Sequence, residues 1–195
     1  MEKSINSGKK VFIINSILLF LRLTIVFAIV FVLGYHSSSH KFNSSFTVID
    51  FTSSIIDVNS FWESIFHSTI SEYCILILVG TSAITFFCPF TVHVLTAIAG
   101  FSYGAGFKAT LSSQTKNIHY SVYILFTVFF AFLFLYWATY SIKANRGFIS
   151  AIGKRDKSTY IFVSKDFRIF IFKLINLLFI VTLTRALYVF LLLII

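Results

Sequence analysis

Charge is what this chain has least of. Only 12% of its 195 residues are Asp, Glu, Lys or Arg, and seven of them are acidic. A soluble domain carries about a quarter, so an ordinary water-facing surface is excluded. Proline is nearly absent too, with Pro89 alone, and there is no low-complexity linker. A second domain is therefore not expected, and residues 1–195 read as a single integral membrane domain. The two cysteines, Cys74 and Cys88, are placed on one predicted helix. At ~1.5 Å per residue they stand about 21 Å apart, beyond the reach of a disulfide.

Catalytic signatures are missing as well. There is no glycine-rich phosphate loop ending in Lys-Ser or Lys-Thr, no His-Glu-x-x-His and no Gly-x-Ser-x-Gly. His36 and His40 have the spacing of a helical metal pair, but they flank a serine run with no carboxylate or Cys beside them and read as a solvated loop. No catalytic, cofactor-binding or metal residue is assigned, and an enzyme is not expected.

What the chain has is hydrocarbon. It is 57% hydrophobic, holds 26 phenylalanines and has a mean hydropathy of +0.90. Apolar runs long enough to cross a ~30 Å bilayer core recur along it. The net charge of +9 comes from bases clustered beside those runs. Such clusters mark the cytoplasmic side and meet anionic lipid; with no binding motif present, nucleic acid is not an expected partner.

Taken in order, Lys3, Lys9 and Lys10 give a cytoplasmic start, and the first span covers about 14–35 with Arg22 inside it. Arg22 reads as a flank that snorkels to the surface. An outer polar loop, 36–71, follows. Within it Ser60 to Glu63 fits a capping box, with apolar residues then at helical spacing. This predicts a short amphipathic helix at 60–70 on the outer surface, with Phe61, Trp62 and Phe66 as contact residues and Trp62 at headgroup depth.

The chain is organised around 72–108. No Asp, Glu, Lys or Arg lies between its end residues Glu72 and Lys108. Pro89 sits near the middle, so two legs are expected, 72–87 and 90–107, turning at Cys88-Pro89-Phe90. Two readings remain: full spans, or re-entrant half-helices covered by protein. Gly100 and Gly104, with Gly106 and Gly80, let another backbone come close. A fourth span is expected at 119–142, a cytoplasmic basic loop at 143–168 with seven Lys or Arg against two Asp, and a fifth span at 171–195. The expected fold class is an all-α polytopic membrane bundle of about five transmembrane helices with a Gly-rich hairpin, N-terminus in and C-terminus out.

Intramembrane ionisable residues point to function more often than others do. Here they are Arg22, His93 and Arg185, and no Asp or Glu is expected inside any span. Arg185 is expected to face the bundle and to bond carbonyls or hydroxyls, with Thr182, Thr184 and Asn176 nearby and Glu72 the nearest acid in depth. His93 reads as a hydrogen-bonded packing residue.

Phe61 to Lys108 resembles the stage II sporulation protein M family. The resemblance is carried by Phe61-Trp62-Glu63-Ser64-Ile65-Phe66, Gly80-Thr81-Ser82, Pro89, and Gly100-Phe101-Ser102-Tyr103-Gly104 with Gly106-Phe107. His67-Ser68-Thr69 stands where the family has asparagines. The resemblance implies a multi-pass plasma-membrane protein of a Gram-positive bacterium, without enzymatic activity. In the sporulation branch it would gather cell-wall hydrolases during engulfment; in a bacteriocin branch it would serve as an accessory or immunity subunit beside an ABC exporter. The partners that the resemblance implies are other membrane or membrane-associated proteins; a second copy of the chain is a further candidate, and the bases of 143–168 are expected to meet anionic lipid.

Overall fold

The computed structural model describes residues 2–37, 61–112, 117–152 and 157–194. Among them every regular element is helical: α1 (Glu2–Ser37), α2 (Phe61–Ser82), α3 (Cys88–Ser112), α4 (Asn117–Ile152) and α5 (Lys157–Ile194). Four have stretches long and apolar enough to cross a bilayer, Ile14–Ser37, Cys88–Lys108, Ser121–Ile149 and Lys165–Leu191. Large apolar side chains stay exposed along them, among them Phe172, Phe179, Leu183 and Phe190 on α5. Water would not tolerate such a surface, and lipid does. The molecule is a helical membrane bundle.

Contacts fix the directions of the helices. Gly100 meets Phe27 and Gly104 meets Phe31, so α3 runs parallel to α1. Trp137 bonds Leu76 and Asn145 bonds Ala83, so α4 runs parallel to α2. Gly80 lies against Leu174 while Glu72 lies against Arg185, so α5 is antiparallel to α2. Helices α1, α3 and α5 therefore point one way and α2 and α4 the other.

The hairpin differs from expectation in its details. The turn covers Ala83–Phe87, and Cys88 opens α3, so the two cysteines sit on different helices; both are free. Pro89 lies in the first turn of α3, where its missing N–H would have had no helical partner anyway. The Asn145 amide donates to the carbonyls of Ala83, at 2.9 Å, and Thr85, at 2.7 Å. Those bonds pin the turn beside Asn145, at the level of Lys143 and Arg146 of α4. Phe86, Phe87 and Phe90 project from it, each more than 70% exposed.

Two further differences concern segment ends. The segment expected as a separate helix at 60–70 is the beginning of α2, which continues unbroken to Ser82. Much of the stretch expected as a loop at 143–168 is helical, α4 running to Ile152 and α5 starting at Lys157. The side chains of Phe61, Trp62 and Phe66 fall outside the described residues, as do residues 38–60, with His40, of the stretch expected as an outer polar loop.

The core lies where the five helices meet. Trp137, 1% exposed, donates its indole N–H to the Leu76 carbonyl at 3.0 Å. Its ring stacks on Phe170 at 5.0 Å and on Tyr140 at 5.6 Å. A Cβ at Gly80 would stand 3.3 Å from this indole, so the glycine makes room for the tryptophan.

A candidate functional site at the buried Glu72–Arg185 pair

Helix α2 brings Glu72 into the bundle. Phe61 to Ser71 is already helical, so Glu72 lies mid-helix rather than at the edge of a polar loop. It is 3% exposed. The acid that the sequence places at the border of a polar stretch is thus buried inside the bundle. From Glu72 to Ser82 is about 15 Å of helix, which places the carboxylate about half a bilayer core away from the turn.

Arg185 comes to it from α5. Its guanidinium nitrogen donates to Glu72 Oε1 at 3.0 Å, and Arg185 is 1% exposed. The same guanidinium lies 5.2 Å from the Phe130 ring centre and 5.4 Å from that of Tyr188. A cation held between ring faces is stabilised by their quadrupoles, most strongly where water is excluded. The charge is thus met by an anion and two π faces.

Glu72 Oε2 has no hydrogen-bond partner among the described residues. One turn away the Tyr73 hydroxyl bonds the Leu178 carbonyl at 3.2 Å and the Thr182 hydroxyl, joining α2 and α5 a second time. Thr184 returns its hydroxyl to the Ile180 carbonyl of its own helix. Asn176 does not join the cluster. It stands nine residues before Arg185, half a turn round the helix at ~100° per residue, and is exposed on the opposite face.

The glycines are brought together with α1. A Cβ at Gly100 would stand 2.7 Å from the Phe27 carbonyl oxygen, one at Gly104 would strike that of Phe31, and one at Gly34 that of Phe101. Gly34, not singled out from the sequence, completes the seam from the α1 side. At Gly106 a Cβ would meet the Tyr123 hydroxyl at 3.3 Å. Gly100 and Gly104 are therefore closed within the chain and offer no outer face. The remaining polar residues sit apart from the pair. His93 Nδ1 meets the Pro89 carbonyl one turn back on α3, and Arg22 is exposed on α1.

Among the described residues, no group of three or more His, Cys, Asp or Glu could hold a metal ion. Fold and site together define a helical membrane bundle with a buried ion pair joining α2 and α5. Comparison of the chain with family models, with curated proteins and with solved structures finds no match.

Proposed function

We propose that the chain is a non-catalytic scaffold or accessory subunit of the plasma membrane of a Gram-positive bacterium, gathering partner proteins by helix packing. Asn176 carries the reading. It lies near the middle of the apolar stretch Lys165–Leu191, on an exposed face shared with Phe172, Phe179 and Leu183. Among the described residues nothing takes up its amide. In hydrocarbon such a side chain is satisfied by another helix, and interhelical amide bonds are a recurrent association device there. The partner is a membrane protein or a second copy of this chain. The resemblance to stage II sporulation protein M favours an assembly with cell-wall hydrolases; a role beside an ABC exporter in bacteriocin production draws on the same face. The N-terminus is cytoplasmic, and the basic residues at that end meet anionic lipid.

The test is chemical crosslinking and co-purification from native membranes. Asn176→Leu should lower recovery of the crosslinked partner at least fivefold at unchanged membrane levels. Unchanged recovery would remove this face from the interface. A transport path beside Arg185 is the competing reading. Against it stands the burial of both members of the pair, Arg185 at 1% exposed and Glu72 at 3%. Solute uptake by the purified protein in liposomes, lost in Arg185→Ala, would favour transport over the scaffold.

A further inference from the structure

Two cavities follow one another along the seam between α1 and α4. The first, about 790 Å³, lies where Asn15 and Ser16 of α1 face Lys143, Arg146 and Gly147 of α4. Asp166 of α5 is the one acid on its wall, and Lys173 stands close by, its Nζ 4.1 Å from the ring centre of Tyr140, which lines the cavity. The second, about 460 Å³, begins at Phe20, next to the Leu19 that closes the first. It runs to Val32 along α1, against α4 from Ile124 to Leu135. Its wall is apolar apart from Tyr103 and two threonines, and the Thr24 hydroxyl is turned back to the Phe20 carbonyl at 2.9 Å.

We propose that this seam binds one anionic glycerophospholipid, with its phosphate at Lys143 and Arg146 and an acyl chain laid along the Phe20–Val32 cleft. Three observations fit that occupant. Charge at the mouth is complementary, since two bases line it against one acid and Lys173 adds a third base at its rim. Length fits as well: Phe20 to Val32 is about 18 Å of helix, slightly more than one leaflet of a ~30 Å core. Space is present at both ends. Nothing lies within 4 Å of a Cβ at Gly147 in the mouth, and Ala28 and Ala131 leave depth in the cleft. A free phosphate would use only the mouth and an alkane only the cleft; their succession along one seam selects a molecule having both parts. The site rests on the membrane reading and is independent of Asn176 and any protein partner.

Native mass spectrometry of the purified full chain tests it, with phosphatidylglycerol offered against phosphatidylcholine of the same acyl chains. The wild type should retain a single phosphatidylglycerol with at least tenfold preference. Ala131→Phe, which fills the cleft, and the double variant Lys143→Ala/Arg146→Ala should each lower retention at least tenfold. Lys108→Ala, at the other end of the bundle, and Asn176→Leu should leave it unchanged. Equal retention of the two lipids overturns the proposal. So does loss confined to the basic variant, because a headgroup held by charge alone needs no cleft. Should Ala131→Phe fail to fold, Gly147→Trp enters open space in the mouth and replaces it; unchanged retention there overturns the site.

Discussion

Removing either member of the Glu72–Arg185 pair leaves the other charge buried without its counter-ion. Glu72→Ala or Arg185→Ala should each destabilise the bundle by about 3–5 kcal/mol, whereas Glu72→Leu with Arg185→Leu should lose less than the two single changes combined. Unfolding in detergent, run as a double-mutant cycle, measures this; additive losses would show that the charges are not coupled. The Arg185 half of the pair was legible, because a lone base about 12 residues past Lys173 has no easy route to either surface. Glu72 was legible as the acid nearest in depth, and it is the residue Arg185 pairs with, but its burial was not legible. In the linear sequence it marks the border between polar and apolar stretches, and a border suggests a surface. What buries it is the continuous helix from Phe61, which carries the border residue into the interior. Asn176 differs from expectation for a simpler reason: closeness in sequence to Arg185 is not closeness in space, since nine residues turn a helix to its far side.

Among the elements, α1 and α3 depend on each other most directly. Gly104→Ala sets a methyl against the Phe31 carbonyl and should destabilise by about 1–3 kcal/mol, the usual range for overpacking. Gly147→Ala should do the reverse and stabilise by about 1 kcal/mol, since its Cβ meets nothing and alanine is the better helix former. Thermal melts of the two variants should therefore shift in opposite directions. The hairpin turn has its own fastening. Asn145→Ala removes the donor shared by the Ala83 and Thr85 carbonyls and should cost about 1–3 kcal/mol for each acceptor left unsatisfied. Faster hydrogen exchange confined to 83–88 would report that local opening. The close-packing character of Gly100 and Gly104 could be read from their spacing of four, but the surface they pack on could not, because spacing on one helix carries no information about which neighbour fills the groove. The turn lies a few residues before the expected corner for a related reason: a proline marks a corner in sequence but fits equally well just inside the helix that follows.

At the scale of the whole molecule, alternating helix directions put the Glu2 end of α1 and the Ile194 end of α5 at opposite ends of the bundle. The end that holds Asn15 and the hairpin turn also carries Lys143, Arg146 and Arg168, while Lys108 lies at the other, 5.9 Å from the Tyr35 ring centre. With the basic end in the cytoplasm, a cysteine introduced at Ser37 should react in intact cells with a membrane-impermeant thiol reagent, and one at Arg146 only after lysis. The reverse pattern would invert the topology. Fold class was legible at this scale because a bilayer leaves few solutions: long apolar runs with almost no charge must become helices. Which faces of those helices meet each other depends on side-chain shape, and a composition so evenly apolar does not encode it in any stripe.

The seam in which Phe27 and Phe31 lie backbone-close to Gly100 and Gly104 also bears on how the chain is made. Helix α1 finds the helix that packs closest to it, α3, only after some 60 further residues have been synthesised. Until then it must wait, its groove lined by lipid or by a chaperone of the insertion machinery. A nascent chain stopped before α3 would thus hold an orphaned α1, a natural mark for quality-control proteolysis.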